Sequence, residues 1–127
     1  MNIRTNIRHW HSAHSDCLRT LKFYKEEIGI LTERLAEIAQ KNTVYEVTVQ
    51  VEHFQNAFIL HRNNIDELSH AIRQNISRVA GEIASHTGFA ATGLLAQLEK
   101  EKKIFHEEER EINLLRHAFN LFCAEWM

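Results

Sequence analysis

Glu67 and His70 are three residues apart, a Glu-x-x-His spacing that puts a carboxylate and an imidazole one turn apart on a helix. Carboxylate-bridged di-metal bundles carry two such motifs on four helices. This sequence holds one, so the chemistry it offers is that of a single zinc-like ion held by histidine, cysteine and carboxylate. His14, Cys17, Asp66 and Glu108 would complete the set, because helix register places them near Glu67 and His70. Nine histidines in a chain of formal charge −2 also raise a pH response, since their protonation would reverse the sign of the net charge. A metal-binding or pH-responsive bundle centred on His14 and Glu108 is therefore one reading. No metal or other cofactor is favoured by it over structural polar contacts.

Other chemistry is absent from the residue pattern. The sequence has no nucleophile elbow, glycine-rich phosphate loop or His/Cys dyad, so we expect no enzyme. The 15 basic and 17 acidic residues are spread along the whole length, which leaves no basic face for nucleic acid. No signal-peptide pattern follows Met1, and no apolar run approaches the ~20 residues of a membrane span. We expect a cytoplasmic protein with no nucleic-acid or membrane partner. Cys17 and Cys123 are too few for a disulfide framework, and their expected heights differ by more than a bridge allows.

The elements that would position these residues are helices. With no proline, 44% hydrophobic and 25% charged residues, the 127-residue chain can carry very long uninterrupted helices. Ile3, Ile7, Trp10, His14, Cys17, Leu21, Tyr24, Ile28, Leu31, Leu35 and Ile38 alternate in steps of four and three. That heptad ladder predicts one helix over about 2–41, roughly 55 Å long. Gly29 lies off the ladder and is either tolerated or approached closely by a neighbour. Asn42 suits a helix end, and Thr43 with Glu46 makes a capping box for the next helix.

Residues 44–51 are β-branched enough to suggest a strand, but no second strand exists to pair with it. Val44, Val47, Val51, Phe54, Phe58, His61, Ile65, Leu68 and Ile72 instead form a heptad ladder, predicting a helix over about 43–86. Past Ile72 the ladder shifts to Ile76, Val79 and Ile83, a stutter that displaces Asn75 from the seam. Gly88 suits a helix stop, Phe89 a plug for the end of the core and Thr92 a restart, giving a third helix over about 91–126. Its seam reads Leu94, Leu98, Glu101, Phe105, Glu108, Ile112, Leu115, Phe119, Phe122 and Trp126. Two glutamates thus stand where apolar residues belong.

Three long helices joined by short turns predict an all-α, antiparallel up-down-up bundle with coiled-coil-like packing, one domain over 1–127. Short turns put His14 level with Glu108 and with Leu68 to His70, and Glu101 level with Asn75. His14, Asn75, Glu101 and Glu108 form a polar core cluster on this scale, whose expected role is to fix register. His61, in the seam, reads as a satisfied core imidazole. His9 and His11 flank Trp10 on different sides, and His53, His86, His106 and His117 read as surface.

Large apolar residues also lie off the seams. Phe23 and Ile30 are seven apart on the first helix, Leu114 and Leu121 seven apart on the third, and Ile59 and Leu60 stand level with them on the second. They either widen the core or form a surface for self-association or a helical protein partner, most simply a two-fold homodimer. The sequence therefore reads as a structural or protein-interaction module that is expected to self-associate.

Overall fold

The computed structural model describes the backbone of residues 3–85 and 88–127, and within it the side chains of 9, 11–81, 93 and 96–127. The ladder positions Ile3, Ile7, Trp10, Ile83 and Leu94, the side chain of Phe89, and His86 lie outside the described residues. Three helices account for nearly everything else: α1 (Ile3–Lys41), α2 (Tyr45–Ser85) and α3 (Gly88–Trp126). Among the described residues there is no strand. The β-branched run after Tyr45 is the opening of α2, where Val47 is fully buried: burial of the heptad face outweighs the β-propensity of its valines.

Two boundaries differ from expectation. The Val44 carbonyl accepts from the amides of Val47 and Thr48, at 3.1 and 3.0 Å, so Val44 occupies the cap of α2 and Thr43 stands one residue outside it. Val44 is consequently exposed rather than the first rung of the seam. At the other turn, Gly88 opens α3 instead of stopping α2, and Thr92 falls inside the helix. A glycine is costly in a helix interior, whereas the first-turn amides have no intrahelical acceptors to satisfy.

The contacts between helices fix the topology. Phe54 meets Phe122 and Phe58 meets Phe119, with ring centroids 5.1 and 5.2 Å apart, so residue numbers rise along α2 as they fall along α3. Between α1 and α3 they rise together: Tyr24 bonds Glu109, Glu27 bonds Arg116, and Asn42 reaches the Trp126 carbonyl. The helices therefore run up, down, up. Asn42 also donates from both its amide and its side chain to the Ile38 carbonyl, closing the end of α1 and tying it to the end of α3.

One core cluster runs from the α1/α2 turn to the level of Cys17, Ile72 and Phe105, and Val79 and Leu98 are buried beyond it. Leu21, Ile38, Val47, Ile72, Val79 and Phe119 are each at most 1% exposed. The phenyl rings of Phe54, Phe58, Phe119 and Phe122 close the half nearest the α1/α2 turn, with Phe54 and Phe58 each edge-on to Phe119. In α2 the inward positions continue through Asn75 to Val79, and Ile76 is half-buried beside them. Asn75 keeps the strict heptad place from which the expected stutter would have displaced it, so α2 carries its regular seam through to Val79.

Candidate interaction surfaces and the polar core

The polar residues of the seams divide into two separate arrangements. His14 on α1 is 1% exposed and its Nε2 donates to the Leu98 carbonyl of α3 at 3.2 Å. Its level on α3 is thus Leu98, not Glu108. Glu108 instead accepts from His61 Nδ1 at 2.5 Å and from Asn64 Nδ2 at 3.4 Å, both on α2. Heights estimated across two turns accumulate the error of each, and here the sum moved α3 past α1 by more than two turns.

Asn75 and Glu101, 2% and 5% exposed, each bury one atom without a hydrogen-bond partner among the described residues, Nδ2 and Oε2 respectively. An unpaired polar atom in a core costs about 1–3 kcal/mol, so these two side chains lower the stability of the half of the bundle that holds the start of α1. That cost is what a register-setting polar layer carries in a coiled coil.

The metal-ligand candidates do not converge. Asp66 accepts from Lys25 Nζ at 2.7 Å, Glu108 is held by His61 and Asn64, and His14 faces a carbonyl. Glu67 is exposed on the α2/α3 flank, lining a groove with Glu101 and Glu108, His70 is exposed one turn on, and Cys17 is buried in the core. Among the described residues no group of three or more His, Cys, Asp or Glu is placed to hold a metal ion. The Glu-x-x-His spacing failed as a signal because it fixes a helix face, not which way that face points. Burial pushes the Cys17 thiol above its ordinary range, and does the same to Cys123; both are free.

Polar bonds also clamp α1 to α3. Tyr24 donates to Glu109 Oε2 at 2.8 Å, and Arg116 Nε donates to Glu27 Oε1 at 2.9 Å while its guanidinium lies 5.9 Å from the centre of the Tyr24 ring. Burial, then the Glu109 hydrogen bond, push the Tyr24 phenol up to about 12. None of these contacts was legible as a seam exception, because tyrosine at an inward position reads simply as apolar.

All six off-seam apolar residues are exposed: Phe23 57%, Ile30 53%, Ile59 54%, Leu60 55%, Leu114 61% and Leu121 61%. They do not widen the core. Nor do they share one face. Two residues along a helix turn the side chain through roughly 200°, so Leu114 points away from the flank on which Arg116 reaches α1, toward the α2 side. Phe23, likewise, is opposite Lys25, which reaches α2, and borders α3. Phe23 and Ile30 thus edge the α1/α3 groove, Leu60, Leu114 and Leu121 the α2/α3 groove, and Ile59 lines the groove between α1 and α2.

No family model, curated protein or solved structure matches this chain. Among the described residues no helix is long and apolar enough to cross a membrane.

Proposed function

We propose that this three-helix bundle is a non-catalytic protein-interaction module that associates with further copies of itself. The observation that carries the reading is the exposure of six large apolar side chains, each more than half accessible, on a bundle whose core is already filled by its own seams. Single exposed apolar residues are ordinary, but heptad-spaced pairs on two helices repeat the pattern by which helices recognise helices. Burying them against another helix removes apolar area from water without disturbing the fold, at about 25 cal/mol per Å². The metal-centred alternative has no support in the scattered positions of its ligands.

Light scattering coupled to size exclusion, run from low to high micromolar protein, tests the proposal. A mass that rises with concentration, and falls back when Leu114→Glu and Leu121→Glu are introduced, is the expected result. A monomer throughout would contradict it.

A further inference from the structure

Resting on that self-association reading, we infer that the contact is head-to-tail: the outer ridge of α3 in one copy docks in the α1/α2 groove of the next. The ridge is read from α3 directly. Glu107, Glu111, Leu114, Ala118, Leu121 and Glu125 follow steps of four and three, so they line one band of the helix, and all six are exposed. Leu114, Ala118 and Leu121 make its apolar centre, with carboxylates at both ends. Those three glutamates make no ion pair among the described residues.

The groove has the complementary character. It is a cavity of about 750 Å³ between α1 and α2, floored by apolar side chains that include Leu18, Phe58 and Ile59. Its rim holds Lys22, Lys25, Arg62 and Arg73 against only Glu26 and Asp66, and Lys25 is already taken by Asp66. Lys22, Arg62 and Arg73 have no ion-pair partner among the described residues. Lys25 stands opposite Asp66 on antiparallel helices, so one turn further along Gly29 stands across the groove from Arg62. A Cβ built on Gly29 would meet nothing within 4 Å, which leaves the floor open where an incoming helix would sit. The spare cations are spread over about three turns of helix, too far apart to converge on one anionic headgroup, so they suit a row of carboxylates such as Glu107 and Glu111.

Donor ridge and acceptor groove are different surfaces of the same chain, so the contact is heterologous and does not close after two copies unless rotation closes a ring. Phe23 and Ile30, on the α1/α3 side, fall outside it.

Complementation tests this. One variant fills the groove, Gly29→Trp with Arg62→Glu; the other disables the ridge, Leu114→Glu with Leu121→Glu. All four positions are exposed, and circular dichroism checks that both variants remain helical. In native mass spectrometry and light scattering, wild type should pass beyond the dimer, each variant alone should be monomeric, and their equimolar mixture should form a dimer and stop there. Phe23→Glu should associate as wild type does. A mixture that stays monomeric, a wild type that stops at two copies bound through Phe23, or association that survives either variant would overturn the head-to-tail contact while leaving self-association standing. A wild type that is monomeric at every concentration would overturn both.

Discussion

Glu108 of α3 takes the imidazole of His61 on α2, Nδ1 to Oε1 at 2.5 Å, and both side chains are about nine-tenths buried. A carboxylate offers only acceptors, so Nδ1 carries the proton, and Asn64 supplies a second, longer bond to the other oxygen. The two glutamates in the α3 seam therefore differ: Glu108 is paired, whereas Glu101 keeps one oxygen without a partner among the described residues.

Removing one side of the buried pair should be costly. His61→Ala or Glu108→Ala should each lower unfolding stability by about 3 kcal/mol, since the remaining partner is left buried and unpaired. Replacing both with leucine should recover most of that loss. Urea denaturation of the three variants checks it, and a single replacement costing under about 1 kcal/mol would show that the pair is open to water.

Glu101 behaves in the opposite way. Glu101→Leu removes an orphaned buried oxygen and should raise stability by about 1–3 kcal/mol. If the register depends on the polar layer, the same variant should broaden the amide spectrum of residues around Leu98 and Asn75. A loss of stability would mean that Glu101 has a partner in solution.

Gly29→Ala should stabilise the chain by about 1 kcal/mol. Gly29 lies in the interior of α1, and no neighbouring atom obstructs a methyl group there. Thermal unfolding in dilute solution, where association is minimal, reads the effect. A destabilised variant would indicate a close neighbour at that point.

Tyr24 sets an alkaline limit. An unfolded tyrosine ionises near pH 10, and in the bundle burial and the Glu109 bond hold the phenol up to about 12. The folded state thus keeps its proton while the unfolded state releases one. This contribution is complete below pH 10 and is lost as pH rises toward 12. Tyr24→Phe should cost about 1 kcal/mol at neutral pH and remove this part of the alkaline decline. An unchanged stability profile between pH 10 and 12 would contradict the assignment.

The helices were legible in the residue order because a seven-residue repeat sustained from His14 to Ile38, and again from Val47 to Ile72, admits only one period. The off-seam residues were legible only as a choice between a wider core and a surface; the exposure of Phe23, Ile30, Leu114 and Leu121 decides it, because the heptad seams already fill the space between the helices. Pairing across helices was not. Glu108 meets His61 instead of His14, because a seam records which face is buried and not how far one helix slides along another. Glu27 with Arg116, and Lys25 with Asp66, mark where that slide comes to rest, and nothing in their local sequence marks them as partners. The caps were misplaced by a residue or more for a related reason, since Thr43 and Val44 compete for one position on energies below about 2 kcal/mol.

Sedimentation equilibrium of the wild-type chain, beside the variant carrying Leu114→Glu and Leu121→Glu, measures the self-association itself. Over micromolar concentrations the wild type should fit a reversible association with mass above the monomer, and the variant should remain a monomer of unchanged helicity. A wild type that fits a single monomeric species over the whole range would show that the exposed apolar residues do not drive self-association.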